Sequence, residues 1–494
     1  MPITLIRKEN RFYPDPKRVI ARFFMPGNKR SETIIQKVLN LTEEQVQATL
    51  NQVLRNFSKR HRNITIIFEK YFNRIKYLFH SMNIDPDSLP KERQLLIGSY
   101  FTMEYSIESS AFFNPSIVED PDQGDLEEGQ RRVIVSFRAT GEGHISSIVF
   151  RSGIIDKDNN LQFQPTGKLV DVPEIIKRHV YEKKDFLKKI NEMNIHEEII
   201  GHEEIVGIVM DKMKNTFNYS ELQAVIDDTI DDTRFNNGIR KVIQEIKWLA
   251  SSHYEITFSL DTAISERVIF PISYTESHGI EDARFVRFVD DDDTVTYYAT
   301  YTAYSGHNIL PRLLETKDFY HFKISPIHGE QAQNKGMALF PRKINGKYAM
   351  ISRIDGVCNY IMFSDNINVW EETCKIQDPM YPWEFIQIGN SGSPIETERG
   401  WLVITHGVGA MRRYSLGAIL LDLDDPTNVI AKLDEPILVP NEEEREGYVP
   451  NVVYSCGSII HNNELIIPYA MADYASTFAS IPLDDLLNKL LNHR

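Results

Sequence analysis

The stretch His278–Tyr304, HGIEDARFVRFVDDDDTVTYYATYTAY, decides the fold class. Two runs rich in β-branched and aromatic residues, ARFVRFV and TVTYYATYTAY, flank the four aspartates Asp290–Asp293. Such side chains favour strands, and a polar cluster between two such runs predicts a hairpin with a solvated loop. The aspartates lack the glycine and the distal glutamate of a calcium loop. Ahead of the hairpin, HGIEDAR sets two acids and an arginine within four positions, just after a Gly-Ile pair. That cluster either makes local salt bridges or places one carboxyl group over a substrate.

The same character spreads outward. From Tyr254 to about Ala479, YEITFSLD, MALFPRKINGKYAMISRI and SIIHNNELIIPYAMA read as strands and hairpins, with Asn345-Gly346 and Asn462-Asn463 at turns. From Ala111, AFFNPSIVED, RRVIVSFRAT and HISSIVFRSGII read the same way. Between these blocks, Val172 to about Ser252 has helical spacing, in EIIKRHVYEKKDFLKKI and IRKVIQEIKWLA. Ser31–Met82 is helical too: LTEEQVQATLNQVLRNF opens with Thr42 and Gln45 at capping-box spacing. The aromatic stripe of ITIIFEKYFNRIKYLF reads as core or docking surface. The tail PLDDLLNKLL is a short amphipathic helix. Many short strands with regular turns mean a sandwich, barrel or propeller. The expected organisation is an N-terminal helical region over 1–109, β structure over 110–171, a helical insertion over 172–253, further β structure over 254–482 and a C-terminal helix over 483–494.

Composition narrows the class. Of 494 residues, 42% are hydrophobic and 25% charged, the profile of a globular protein able to bury one large domain with additions. A net charge of -15 disfavours nucleic acid and anionic membranes as partners. The first residues, MPITLIRKENRFYPDPKR, lack the apolar core of a signal peptide, and no run reaches the roughly 18 apolar residues of a span, so a cytoplasmic location is expected. The three cysteines, Cys358, Cys374 and Cys456, have no metal-ligand spacing. HEEIIGHEE (196–204) mimics a zinc-protease helix, but its histidines lie six positions apart, about 240° around a helix, and cannot share a metal. Phosphate-binding Gly-rich loops, nucleophile elbows and Cys-x-x-Cys pairs are lacking in the sequence.

Polar residues embedded in apolar β sequence remain: Asp282, Lys335, Arg353, His406 and Asp473. Each alone reads most simply as a satisfied strand-end residue. Together they suggest a pocket, because barrel and propeller mouths gather strand ends.

At this point the chain resembles a family. GIEDAR resembles the Gly-(Val/Ile)-Glu-Asp-Pro-Arg signature of glycoside hydrolase family 130, the β-mannoside phosphorylases and β-mannosidases. NKGMALFPRKINGKYAMISR, IGNSGSPIETERGWLVITHGV, YSLGAILLDLDDP, EGYVPNVVYSCG and IPYAMAD resemble later family blocks in order, and FFNPSIV with VSFRA resembles the first blade. The resemblance covers roughly 110–170 and 254–482 and omits both helical segments. It implies a mainly β fold, a five-bladed propeller with an N-terminal helical region and a helical insertion after the first blade.

The resemblance further implies an inverting enzyme that needs an acid for the leaving oxygen and a nucleophile on the opposite face. Asp282 is the implied general acid, acting through a sugar hydroxyl. Lys335, Arg353, Gln387 and His406 map to phosphate-binding positions, where an arginine grips phosphate with two parallel hydrogen bonds and His406 can donate another. Gln387 departs from the usual lysine, and Ala283 replaces the signature's proline. Asp473, with Asn114, Arg138 and Arg284, is the implied sugar-binding set. The expected reaction is phosphorolysis of a β-mannoside to mannose 1-phosphate, with inorganic phosphate as co-substrate and neither metal nor organic cofactor. A β-mannosidase, a hydrolase of β-1,2-mannosides with Glu396 as its base, is the alternative; a non-catalytic carbohydrate- or protein-binding propeller is a second. The helical additions would cover the pocket, build a homo-oligomer interface or dock a partner.

Overall fold

Strands joined by short turns pair most simply with their sequence neighbours, antiparallel. The computed structural model describes residues 4–176, 180–193, 202–230, 242–243, 246–247, 249–273, 276–304 and 309–492, and these contain five antiparallel sheets of four or more strands. The first holds Ala111–Glu119, Arg131–Thr140 and Ser146–Ile155, with Leu161–Phe163 and Val268–Ile269 on its outer strand. The second runs Ile280–Val289, Val295–Tyr304, Ile309–Thr316 and His321–Pro326, then Tyr254–Thr257 and Glu174–Ile176. The third is Ala338–Leu339, Tyr348–Ser352, Asn359–Ser364 and Glu372–Gln377. The fourth is Gln387–Asn390, Gly400–Val408, Tyr414–Leu421 and Val429–Lys432, with Ile395–Thr397 beside Gly400–Val408. The fifth is Val453–Tyr454, Glu464–Met471 and Ala475–Pro482, with Ile459–His461 beside it.

Each sheet packs on the next, and the fifth returns to the first. The strands that open the sheets, such as Ala111–Glu119 and Ile280–Val289, make many of these contacts. Between sheets lie aromatic and aliphatic layers: Phe150, Phe285, Phe319 and Phe322 between the first and second, and Trp401 with Phe340 and Ile361 between the third and fourth. Fully burying one such side chain is worth roughly 1.5–3 kcal/mol, so these layers hold the sheets to one another.

The expected turns are present. Asn345 and Gly346 have φ of 51° and 79°, and Asn462 and Asn463 have 45° and 58°, the left-handed pairs that tight hairpins require. In the aspartate loop, the Asp290 N–H donates to the Thr294 carbonyl at 3.0 Å, and Lys343 caps Asp290 at 2.6 Å.

The N-terminal helices include Glu43–Phe57, closed by the expected capping box: Gln45 N–H donates to Thr42 Oγ1 at 3.3 Å and Thr42 N–H to Gln45 Oε1 at 2.9 Å. Phe68, Phe72 and Phe79 of the aromatic stripe are buried, so the stripe is core. Residues 1–109 are not helical throughout. Ile6–Arg7 adds to the fifth sheet with Ile6 opposite Ser480, and Val19–Phe23 pairs with Thr102–Ser106. A two-residue strand has no periodicity to read, and both pairings are non-local.

Between the first and second sheets the chain forms the hairpin Val180–Glu182/Thr216–Asn218 and the helices Lys183–Met193, His202–Asp211 and Tyr219–Ile230. Their apolar cluster includes Phe186, Val209 and Ile226. The flanking strands pair with each other, Ile256 opposite Ile175, so both ends of this segment leave from one sheet edge. Much of HEEIIGHEE, including His196, and part of IRKVIQEIKWLA lie outside the described residues. The tail forms the helix Leu483–Asn492, burying Leu486, Leu487 and Leu490. Among the described residues no helix is long and apolar enough to cross a membrane.

Candidate active site

The reading of GIEDAR places Asp282 after a strand end, whereas the structure sets it inside Ile280–Val289. The pairing with Val295–Tyr304 slips between Glu281 and Arg284, and Asp282 takes φ 55° there. The first sheet repeats the device: pairing slips between Phe113 and Ser116, and Asn114 takes φ 50°. A bulge re-aims a side chain that a regular strand would send elsewhere. These two turn toward each other, and Asn114 Nδ2 donates to Asp282 Oδ1 at 2.6 Å. Gly279 makes this approach possible: it has φ 120°, and a Cβ there would lie 2.8 Å from the Ser146 nitrogen.

Arg138 of the first sheet bridges both acids, reaching Glu281 at 2.8 Å and Asp282 at 3.4 Å. Lys335 Nζ stands 3.9 Å from the other Glu281 oxygen. Burial alone would raise the Asp282 pKa, but Arg138, Lys335, Arg284 and the Asn114 hydrogen bond hold it below the usual carboxylate range. Asp473 goes the other way. Burial pushes it up to about 6, with Arg138 opposing and Asp282 adding to the rise. Asn114 Oδ1 is buried with no hydrogen-bond partner among the described residues.

Arg284 and Arg353 are buried cations. Arg353 is buried and places Nη1 3.3 Å from His406 Nε2. His406 Nδ1 lies 3.0 Å from the Asn390 carbonyl, which can only accept, so Nδ1 carries the proton and Nε2 accepts from Arg353. Burial first, then Arg353 and Arg284, lower the His406 pKa well below its ordinary value, consistent with a neutral ring. In this arrangement His406 orients Arg353 and does not present the expected donor. Gly389 makes room for the ring: a Cβ there would stand 2.5 Å from His406 Cε1. Gln387 Nε2 donates to Tyr414 Oη at 3.4 Å. Arg284 donates to Tyr454 Oη at 2.7 Å, and the Tyr454 ring centroid lies 4.8 Å from that of His406. Neither Arg284 Nε nor Arg353 Nε has a hydrogen-bond partner among the described residues.

Glu396 stays apart. Both of its oxygens are held by Arg342, at 2.7 and 2.9 Å, with the side chain 44% exposed. It pairs with Trp401, five residues from His406 along Gly400–Val408, on the order of 17 Å at strand rise. Three neighbours escaped the sequence reading. Glu281 was in plain view, but the signature assigns it no task. Tyr454 and Tyr414 sit in YSCG and YSLG with nothing local to distinguish them from core tyrosines.

The family model described as beta-1,4-mannooligosaccharide phosphorylase, glycoside hydrolase family 130, matches residues 245–492, half of the chain. The chain belongs to this family. It is 36% identical over 216 residues to a 1,2-beta-oligomannan phosphorylase of Thermoanaerobacter sp. (strain X514), covering 43% of this chain and 71% of that one. It is 35% identical over 250 residues to a beta-1,2-mannobiose phosphorylase of the same organism, covering 49% and 80%. Among solved structures, the beta-1,2-mannobiose phosphorylase from Listeria innocua aligns at TM-score 0.46 and 22% identity over 78% of this chain and 93% of that one. The family match thus contains GIEDAR, the third and fourth sheets and all of the fifth but Ile6–Arg7, while the first-sheet strands from Ala111 to Phe163 and the N-terminal helices precede it.

Proposed function

We propose that this chain is an inverting glycoside phosphorylase that cleaves β-mannosides with inorganic phosphate and releases mannose 1-phosphate. The supporting observation is the contrast between two charge settings. Asp282 stands with Glu281, Asn114 and Arg138, whereas buried Arg353, ordered by His406, makes no ion pair among the described residues. A phosphate dianion needs cations to hold it and needs no base, since it is already a nucleophile. Water as nucleophile would need a second carboxylate opposite Asp282, and Glu396 is committed to Arg342 at the other end of its sheet.

In this reading the mannosyl unit lies against Asn114, Arg138, Arg284 and Asp473, with carboxylate and arginine forks matching pairs of hydroxyls. Lys335 and Arg353 hold phosphate on the face opposite the leaving oxygen, and Gln387 contributes a neutral donor. As a phosphate oxygen bonds to C1, the C1–leaving-oxygen bond breaks. Asp282 supplies the proton through a sugar hydroxyl, and inversion gives α-mannose 1-phosphate. The surrounding cations favour Asp282 as a carboxylate, whereas the acid must be protonated to act. Phosphate eases the conflict: a dianion beside Lys335 offsets that lysine's part of the field that keeps Asp282 ionised and adds a like charge, both raising the Asp282 pKa. The five sheets are read as the blades of a propeller whose opening strands line the pocket, with the segment after the first blade as a helical insertion.

Incubation with β-1,2- and β-1,4-mannobiose, with and without phosphate, tests the function. The expected outcome is mannose 1-phosphate only when phosphate is present; equal cleavage without it refutes the proposal.

A further inference from the structure

Asn390 ends the strand Gln387–Asn390, opposite Thr405 of Gly400–Val408, and is 1% exposed. A buried carboxamide needs partners for its N–H and its oxygen, so what it touches says what it holds. Nδ2 donates to the Gly336 carbonyl at 2.5 Å, and Oδ1 accepts the Gly392 N–H at 3.3 Å. A carbonyl only accepts and a backbone N–H only donates, which fixes the orientation of the amide. The backbone carbonyl of Asn390 takes the proton of His406 Nδ1, and His406 in turn meets Arg353. Two lines of contact therefore leave this one residue. The first runs to Arg353, the second to the residue after Lys335.

The chain on either side of Asn390 is tightly held. A Cβ at Gly389 would stand 3.4 Å from Arg353 Nη1 as well as against the His406 ring. Gly392 turns at φ 128°, and a Cβ there would lie 2.5 Å from Gly457 Cα. Between them, the Ser391 N–H donates to the Ile404 carbonyl at 2.7 Å. At the far end of the carboxamide contact, Asn334–Met337 is a loop ahead of Ala338–Leu339, with Asn334 and Gly336 left-handed at φ 66° and 86°. Two consecutive carbonyls of this loop are pinned from different sheets. Asn390 of the fourth holds Gly336, and Thr300 Oγ1 of the second donates to Met337 at 2.5 Å. The Lys335 N–H closes locally onto Asn334 Oδ1 at 3.0 Å. Its side chain is 39% exposed, and its ion pair with Glu281 is long, at 3.9 Å. On a flexible four-carbon stem, the ammonium goes where the loop carries it.

We propose that Asn390 is a positioning residue of the phosphate site. Its carbonyl orders Arg353 through His406 while its carboxamide fixes the loop that carries Lys335, so one residue sets the two cations relative to each other. This deepens the proposed function and rests on it for the roles of Lys335 and Arg353. Asparagine suits both tasks, because an aspartate in its place would offer the Gly336 carbonyl no N–H. An asparagine that merely stabilised the fold would not act through Lys335, and a double-mutant cycle separates the two roles.

The experiment is calorimetric binding of inorganic phosphate, without mannoside and at low ionic strength, beside a thermal melt. The proteins are the unaltered full chain, Asn390→Ser, Lys335→Met and the double variant. Asn390→Ser should weaken phosphate roughly three- to tenfold, the scale of one lost hydrogen bond. In the Lys335→Met background the same substitution should cost less than about twofold, because the cation it positions is gone. Full additivity overturns the proposal, since Asn390 would then act independently of Lys335. Phosphate affinity unchanged by Asn390→Ser overturns it as well, and so does failure of the unaltered chain to bind phosphate. Should Asn390→Ser not fold, Asn390→Asp keeps the side-chain volume and removes the N–H toward Gly336. The same cycle then applies, and a loss that persists in full without Lys335 again overturns the proposal. Because no mannoside is present, hydrolysis in the separate cleavage assay would refute phosphorolysis and leave this cycle readable.

Discussion

The two halves of the pocket differ in how their charges are settled. Around Asp282, proposed to face the sugar, Asp282 and Glu281 share Arg138, and Asn114 adds a 2.6 Å hydrogen bond. Around Arg353, proposed to hold phosphate, the guanidinium is buried against a neutral histidine, and among the described residues it has no ion pair and its Nε has no partner. Burying a cation without a counter-charge is costly, which suits the Arg353 setting to an anion under the proposed function. The first half is settled without substrate and serves as fixed geometry. Under the proposed function, the first would orient the sugar and the second would select the nucleophile.

The largest expected effect removes the group on which the first half is centred. Asp282→Asn should lower turnover by about 10²–10⁴-fold, the usual cost of losing a general acid, with the fold and mannoside binding retained. Steady-state kinetics beside a thermal melt check this, and near-normal turnover in a folded variant would break the comparison on its sugar side. Next is Arg353→Ala, which should weaken phosphate by roughly 2–5 kcal/mol, the scale for removing one partner of a desolvated charge pair. Its KM for phosphate should rise far more than that for mannobiose; equal changes in both would mean the halves are not separate.

Proton linkage sharpens the same contrast. Asp282 is held below its ordinary pKa by Arg138, Lys335 and Arg284 against burial, so an anion bound at Lys335 and Arg353 must raise it. Sulfate, which does not titrate near neutrality, should therefore bind with proton uptake at mildly acidic pH, read from the buffer dependence of its binding enthalpy. Asp282→Asn should reduce that uptake, and uptake unchanged in the variant would uncouple the two sides. A smaller effect is expected from Gln387→Lys, which adds a cation and should lower the KM for phosphate by up to about tenfold, about 1.4 kcal/mol. Smallest is Glu396→Gln. As an exposed pair with Arg342, Glu396 should contribute about 0–1 kcal/mol to stability and nothing measurable to turnover. Severe loss of activity would restore it as a catalytic base.

Much of this was legible in the sequence, unevenly. The hairpin around Asp290–Asp293, the turns at Asn345-Gly346 and Asn462-Asn463 and the cap at Thr42 follow from local rules, and each appears as expected. The Ile6–Arg7 strand does not, because two residues acquire a strand role only from a partner over 470 positions away, at Ala479 and Ser480. In the site, residue types gave Asp282, Lys335, Arg353 and Asp473, but not their settings. No spacing rule shows that two bulges turn Asn114 and Asp282 face to face, or that the Asn390 carbonyl fixes the His406 tautomer. Glu396 illustrates the converse: close in sequence to Gln387, it is carried to the far end of Gly400–Val408 by a strand reversal.

The most direct test of phosphorolysis is a ³¹P NMR time course of the unaltered protein with β-1,2-mannobiose and inorganic phosphate. Transfer to the phosphate held by Lys335 and Arg353, with inversion, predicts that the inorganic signal declines while α-mannose 1-phosphate grows in step with released mannose. An unchanged phosphate signal while two mannose molecules appear per mannobiose would contradict it.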